Sequence, residues 1–172
     1  MYPLISNDAC LDAITEADIE IVARLGETIW RSHYAKMVSM AQIEYMLAGR
    51  YSPDKLRQYI NADDRWLDLC RLANKPVGYC SYARTIIPAE MKLEQLYLLQ
   101  EHRGKGLGRL MLRHIEAQAR RHSLNVLVLQ VNKRNVDSIA FYRKAGFTVR
   151  EEATFDIGNG FVMDDYVMVK ML

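Results

Sequence analysis

The chain has 172 residues, of which 50% are hydrophobic and 26% charged, and 23 basic against 21 acidic residues leave a formal net charge of +2. This composition excludes a disordered or low-complexity chain, and the near-neutral charge gives no field for nucleic-acid binding. No apolar run approaches the roughly 18 residues that span a bilayer, and residues 1–4 lack the pattern of a signal peptide. We expect a single cytoplasmic domain over residues 1–172, with neither a membrane nor a nucleic-acid partner.

The three cysteines, Cys10, Cys70 and Cys80, are odd in number and widely spaced among apolar neighbours. This usage favours reduced thiols that are mostly buried.

The N-terminal third is predicted to be helical after one edge strand. Thr15-Glu16-Ala17-Asp18 has the form of a capping box, and apolar residues follow it at helical spacing. A second helix is predicted to begin after Ser39 and to end at Gly49. A third begins at Ser52-Pro53, with proline at its first position, and is expected to include Ile60.

Alternating patterns begin at Trp66. Segments 66–72 and 77–83 lie on either side of a break at Asn74-Lys75-Pro76 and predict a hairpin, and a further strand covers about residues 93–99. Early strands joined by such short connections are antiparallel.

The remaining elements alternate between helix and strand. A glycine-rich turn at 104–108 leads into an amphipathic helix, and the apolar run 126–131 predicts a strand covered on both faces. A short helix from Asn135 through Tyr142 and a hairpin around Gly158-Asn159-Gly160 complete the chain. This order predicts a mixed α/β sheet with a parallel crossover after the antiparallel strands.

The most informative stretch for function joins a strand to a helix through alternating glycines, Gly104, Gly106 and Gly108. Such glycines let backbone N–H groups converge, and the helix N-terminus adds unpaired donors and a positive dipole end, so that pyrophosphate is the natural ligand. Neither the P-loop nor the dinucleotide fingerprint fits this spacing. A glycine-capped turn with solvated basic residues is the alternative. The charges expected around the ligand are Arg103, Lys105 and Arg109.

Two motifs carry a family resemblance. Arg103-x-x-Gly106-x-Gly108 resembles the acyl-CoA pyrophosphate loop of the GNAT superfamily of N-acetyltransferases. Residues 135–147 resemble that superfamily's second signature, with Ser138 in place of the usual alanine. The resemblance implies the acyl-CoA N-acyltransferase fold, in which helices flank a mostly antiparallel sheet with one splayed parallel strand pair. It also implies acetyl-CoA as the acyl donor.

The same resemblance implies roles for individual residues. Tyr142 is the expected general acid that protonates the leaving thiolate, with simple packing as the alternative. Leu98 and Leu99 are expected to supply backbone donors, and Asn135 to contact the pantetheine arm besides capping its helix. The full predicted cofactor site consists of Leu98, Leu99, Arg103, Gly104, Lys105, Gly106, Leu107, Gly108, Arg109, Asn135 and Tyr142.

The base that deprotonates the acceptor is predicted from strand alternation. Glu94 alternates with Leu96 and Leu98, which would place all three side chains on one partly enclosed face. A structural carboxylate with satisfied hydrogen bonds is the alternative. The four histidines show no metal-ligand spacing, so no metal is expected.

The acceptor groove is expected between the first helices and the last hairpin. Asp156, Asp164 and Asp165 lie around the predicted turn and would suit a polycation; a solvated acidic turn is the alternative. With the Trp30–Tyr34 region, this ending resembles the bacterial PaiA-like spermidine/spermine acetyltransferases. The expected function is therefore direct acetylation of a small primary amine, with a polyamine as one candidate. A non-catalytic acyl-CoA-binding regulatory module and a protein or peptide amine acetyltransferase are the alternatives, and a homodimer is left open.

Overall fold

In the computed structural model, which describes residues 8–172, seven strands form one mixed sheet flanked by five α-helices. The strands are β1 (Ala9–Ala13), β2 (Arg65–Leu72), β3 (Lys75–Arg84), β4 (Glu90–Leu98), β5 (Val126–Asn132), β6 (Thr148–Gly158) and β7 (Phe161–Met171). The helices are α1 (Ile19–His33), α2 (Met40–Arg50), α3 (Pro53–Arg57), α4 (Leu107–Arg121) and α5 (Val136–Lys144). The predicted mixed α/β fold is confirmed.

The sheet has the order β1-β2-β3-β4-β5-β7-β6, and β4 with β5 is its parallel pair. Their pairing runs from Glu90 opposite Val126 to Leu93 opposite Leu129 and then stops. Beyond that point the two strands diverge, and the gap between them opens the cleft described below. The splayed parallel pair expected from the resemblance is therefore present.

Local signals explain the helix boundaries. The Thr15 backbone N–H donates to Asp18 Oδ2 at 2.9 Å, which confirms the capping box, although a short 3-10 turn precedes α1. Ser39 Oγ accepts from the Gln42 N–H at 3.2 Å and caps α2. That helix does not end at Gly49 as predicted but continues one residue further, to Arg50.

Helix α3 is shorter than its apolar spacing predicts. After its last residue, Arg57, the backbone makes tight i+3 hydrogen bonds from Tyr59 N–H to Leu56 O and from Ile60 N–H to Arg57 O. Asn61 then adopts a positive φ of 56°, which ends the helical course. Tyr59 consequently lies outside the helix, in a turn that faces the sheet.

The sheet separates two apolar cores. On one face α4 buries its amphipathic stripe, including Met111 and Ile115, against β3–β5. On the other face α1–α3 bury Ile29, Ile43 and Leu56. Each such side chain contributes about 1.5–3 kcal/mol on burial, so both faces stabilise the sheet that carries the cleft.

The three cysteines are free thiols. Cys70 and Cys80 are buried as expected, and burial raises the pKa of both thiols. Cys10 is exposed because β1 is an edge strand. Within residues 8–172 no helix is both long and apolar enough to cross a membrane.

Candidate active site

A cleft of about 760 Å³ lies between the diverging ends of β4 and β5 and is closed by the start of α4 and by α5. It collects most of the predicted cofactor site from separate parts of the chain. The predicted residues that line it are Leu98, Arg103, Gly104, Gly106, Gly108, Arg109, Asn135 and Tyr142. The side chains of three others lie elsewhere: Lys105 is exposed, Leu107 is buried in the core, and Leu99 packs with the core of the opposite face.

The glycine loop has the geometry of an anion receptor. Gly104 and Gly106 have φ values of +73° and +86°, a conformation that favours glycine, and Gly106 is the N-cap of α4. The Leu110 N–H makes the first helical bond, to Gly106 O at 3.1 Å. The N–H groups of residues 107–109 precede it and remain available to a ligand. Leu107 can thus contact a phosphate through its backbone.

Space at the loop also fits a pyrophosphate. A Cβ placed on Gly104 would meet no heavy atom within 4 Å, and one on Gly108 would meet the Phe141 ring at 3.6 Å. The loop is therefore open on its outer side and closely packed where it joins α5. These features fit the phosphates of acetyl-CoA in the cleft.

Arg103 points toward the end of β4. Its Nε donates to the Leu98 carbonyl at 3.1 Å, and its Nη1 lies 3.1 Å from His33 Nδ1. Burial, followed by the charge of Arg103, lowers the pKa of His33, which therefore stays neutral at pH 7 and can accept from the guanidinium. Arg103 thus braces the splayed strand end at the same time as it lines the cleft.

The expected role of Leu99 as a backbone donor in the cleft is wrong. Its N–H already donates to the Val77 carbonyl at 2.9 Å, within the ladder to β3. Because backbone groups alternate along a strand, Leu98 and Leu96 turn theirs to the opposite side, toward the splay. Leu98 remains the predicted donor that the cleft can use, and Leu96 joins it.

Tyr142 lies on α5 and is only 9% exposed. Its ring packs against Phe141 and Phe147, with centroids 5.2 and 5.5 Å away. Burial, and then the neighbouring Tyr97, raise the pKa of Tyr142, so the phenol keeps its proton at neutral pH. Asn135 caps the same helix by accepting from Ser138 N–H at 3.3 Å, and it also lines the cleft.

A polar recess of about 280 Å³ meets the cleft from the α1–α3 side of the sheet. The two cavities share a wall formed by Leu93, Glu94, Gln95, Tyr97 and Gln130. The recess adds side chains that sequence reasoning did not select, because they are scattered along the chain and belong to no motif. These are Arg50, Lys55, Tyr59 and Lys92.

Glu94 lines this shared wall, but the expectation that it faces the same side as Leu96 and Leu98 is wrong. A β-bulge shifts the β3–β4 register, so Ser81 pairs with Gln95 whereas Tyr82 pairs with Leu93. The extra residue, Glu94, therefore faces the α1–α3 side and accepts from Tyr59 Oη at 2.7 Å. Leu96 and Leu98 pack on the α4 side instead.

The three predicted acidic residues near the last hairpin do not form one surface. Asp165 lines the recess, is 6% exposed, and its Oδ1 has no hydrogen-bond partner among residues 8–172. Asp164, the next residue of β7, points to the other face and pairs with Lys133 at 2.7 Å. Asp156 accepts from the Gly158 N–H at 2.8 Å and stabilises the turn.

Burial, followed by the neighbouring charge of Asp164 and opposed by Lys92, Arg50 and Lys133, raises the pKa of Asp165 from its usual 3.8 to about 6. The carboxyl group is consequently ionised at neutral pH but holds a proton more readily than an exposed aspartate.

Comparisons with known proteins agree with this geometry. The profile of the Acetyltransferase (GNAT) family matches residues 29–147. The spermidine N(1)-acetyltransferase of Thermoplasma acidophilum is 26% identical over 151 residues, covering 86% of this chain and 90% of that protein. The crystal structure of PaiA N-acetyltransferase from the same organism, in complex with coenzyme A, superposes with a TM-score of 0.80 at 24% identity, covering 95% and 99% of the two chains. The chain therefore belongs to the GNAT family and is an acetyl-CoA-dependent N-acetyltransferase, as its two signatures predict.

Proposed function

We propose that the protein transfers the acetyl group of acetyl-CoA directly to the primary amine of a small molecule held in the polar recess. The observation that carries this proposal is that the recess and the cofactor cleft share a wall at the splay of β4 and β5. An amine in the recess can therefore reach an acyl group in the cleft. The recess is at the small end of ligand sites, which usually measure about 300–1,000 Å³, and this favours a small acceptor.

Acetyl-CoA supplies a thioester that a neutral amine can attack. The chain must therefore take a proton from the acceptor ammonium, and of the two carboxylates that line the recess Glu94, at the wall shared with the cleft, would take it. Glu94 is oriented by Tyr59 at the shared wall. Asp165, ionised above about pH 6, would attract the ammonium into the recess.

On the cofactor side, Tyr142 would return a proton to the departing sulfur. The phenol lines the cleft and carries its proton at neutral pH, so a proton donor is in place beside the cofactor. The Leu98 N–H would hold the thioester carbonyl as its oxygen gains negative charge. The convergent N–H groups at the start of α4 would hold the pyrophosphate.

The match to a spermidine acetyltransferase supports a polyamine as one candidate acceptor. The test is turnover of acetyl-CoA with a panel that contains spermidine, spermine, simple alkylamines, free amino acids and a lysine-containing peptide. Release of the CoA thiol and the mass of the product are measured together. We expect an acetylated small molecule. Acetylation of the peptide alone would replace the small-molecule proposal, and no thiol release with any acceptor would contradict the proposed transfer.

A further inference from the structure

The recess that faces the acetyl group has mixed charge. Three cations, Arg50, Lys55 and Lys92, share it with two carboxylates, Glu94 and Asp165. Among the ion pairs of residues 8–172, none contains any of these five side chains. The recess therefore holds both signs of charge with no direct ion pair between them, although the carboxylates act on Lys92 at longer range.

Two of these cations, Arg50 and Lys92, come from different elements and are held in place. Arg50, the last residue of α2, has its guanidinium carbon 5.7 Å from the centroid of the Trp30 ring, a cation–π arrangement that fixes its orientation. Lys92 Nζ donates to Gln130 Oε1 at 3.0 Å from a half-buried position on β4. Burial, opposed by Glu94 and reinforced by Arg50, lowers the pKa of Lys92. Lys92 is partly withdrawn from water and forms no ion pair, so an anionic ligand beside it would offset the cost of its burial, and Arg50 offers an exposed second cation in the same recess.

An independent observation indicates a cationic partner as well. Asp165 is more than nine-tenths buried, lines the recess, and has one oxygen without a hydrogen-bond donor among the described residues. Buried carboxylate oxygens are nearly always paired, so this oxygen is explained by a donor that arrives with the ligand. Glu94 stands on β4, at the wall that the recess shares with the cleft, where the acceptor nitrogen must approach the acyl group.

We propose that the acceptor is a zwitterion, namely a small molecule with a carboxylate close to its primary amine, such as a free amino acid. Asp165 and Glu94 would hold the ammonium, and Arg50 and Lys92 the carboxylate. The inference rests on the proposed acetyl transfer to a small amine and names its substrate class. A polyamine fits the same recess poorly, because its additional ammonium groups would lie beside Arg50, Lys55 or Lys92.

The first experiment compares the wild-type enzyme on matched acceptors. Each of several amino acids is paired with its own carboxamide, which has the same shape and amine but no negative charge, and spermidine is included as the polycation. The carboxamide has the lower amine pKa and hence more neutral amine at pH 8, so any preference for the acid must overcome this advantage. We expect kcat/KM to be about 10- to 100-fold higher for the preferred amino acid than for its carboxamide, the loss of one charge-assisted contact.

The second experiment tests which residues read the carboxylate. Arg50→Gln and Lys92→Gln should each lower kcat/KM for the amino acid about 10- to 100-fold and change it less than about threefold for the carboxamide. Arg24→Gln removes the same charge from an exposed position on α1 and should change neither. Melting temperatures of the variants show that each protein is folded.

The outcomes separate this inference from the proposed function. Equal or faster acetylation of the carboxamides or of spermidine would overturn the zwitterion and leave the transfer to small amines intact. Equal effects of Arg50→Gln on acid and carboxamide would likewise overturn it. No thiol release with any acceptor, while coenzyme A still raises the melting temperature, would contradict the proposed function itself.

Discussion

The cofactor cleft takes nearly all of its groups from two short continuous stretches, residues 93–109 and 129–145, whereas the acceptor recess collects Arg50, Tyr59, Lys92 and Asp165 from across the chain. The cleft offers the ligand mainly backbone N–H groups, which any residue provides once glycine permits the turn. The recess offers side chains whose identity decides what binds. This difference means that cofactor binding tolerates most side-chain changes, while acceptor choice depends on single residues.

The largest effect is expected at the glycine loop, where the cleft does not tolerate a negatively charged side chain. Gly106→Asp places a carboxylate at the left-handed N-cap of α4, where phosphate oxygens would bind. We expect affinity for coenzyme A to fall about 10³-fold or more, because several charge-assisted contacts are lost and a like charge is added. Calorimetric titration with coenzyme A measures this.

Gly106→Asn is the matched control for that change. Asparagine has nearly the shape of aspartate and a similar tolerance of positive φ. The two variants therefore share the backbone strain and differ in charge. Affinity should fall much less than with aspartate. Normal binding of coenzyme A by Gly106→Asp would show that the pyrophosphate lies elsewhere.

The next effect concerns Tyr142, the side chain that we propose as the proton donor on the cofactor side. Tyr142→Phe should lower kcat roughly 10²–10⁴-fold with little change in affinity for coenzyme A, because only the proton donor is removed. Tyr45→Phe, on the exposed side of α2, removes a hydroxyl that donates to the Ile157 carbonyl and should leave kcat unchanged. Equal rates for wild type and Tyr142→Phe would assign this tyrosine to packing.

On the acceptor side, Asp165→Asn should lower kcat/KM for the acceptor about 10- to 100-fold, chiefly through KM, because a charge that binds the ammonium is removed. The wild-type pH profile should show an ionisation near pH 6 that the variant lacks. An unchanged KM would remove Asp165 from the binding site.

Asp165→Asn should weaken acceptor binding but stabilise the folded chain. The pKa of Asp165 is about 6 in the folded chain against 3.8 normally, so the folded state binds the proton more tightly and loses stability as pH rises from about 4 to about 6. Asp165→Asn should therefore raise the free energy of unfolding by about 1–2 kcal/mol at pH 8 and by much less at pH 4. Denaturant unfolding at both pH values measures the difference, and an equal change at both would contradict it.

The smallest effect is expected at Asp164 and Asp156, the two aspartates that do not line the recess. Asp164→Asn breaks an exposed ion pair with Lys133, and Asp156→Asn weakens a turn, so each should change the acceptor KM less than about twofold. A large rise in KM in either variant would restore an acidic surface at the hairpin as the acceptor site.

Most of the fold and the cofactor cleft could be predicted because their signals are local. Capping residues at Thr15 and Ser39, glycines at Gly104 and Gly106, and the apolar run of β5 each act on neighbours within a few positions. The second signature likewise places Asn135 and Tyr142 on one helix, where cap and cleft contact coincide. Such features can be predicted correctly even where the arrangement of distant elements is not.

The errors have a common physical origin in how strands are paired. One bulge between β3 and β4 turns Glu94 to the face opposite Leu96, and a regular alternation cannot anticipate it. The Leu99 N–H is occupied by the Val77 carbonyl for a similar reason, since the hydrogen-bond ladder between β3 and β4 decides which N–H groups face the partner strand. The alternation of β7 separates Asp164 from Asp165, which the sequence presents as a pair.

By itself the sequence determined the element order, the glycine loop and the family, because these depend on spacing along the chain. The tertiary structure alone decided the composition of the acceptor recess, where Arg50, Lys92 and Asp165 meet although more than 40 residues separate each from the next. Charge pairing, burial and the loss of hydration act through space, and their balance at a site appears only when distant segments of the chain are brought together.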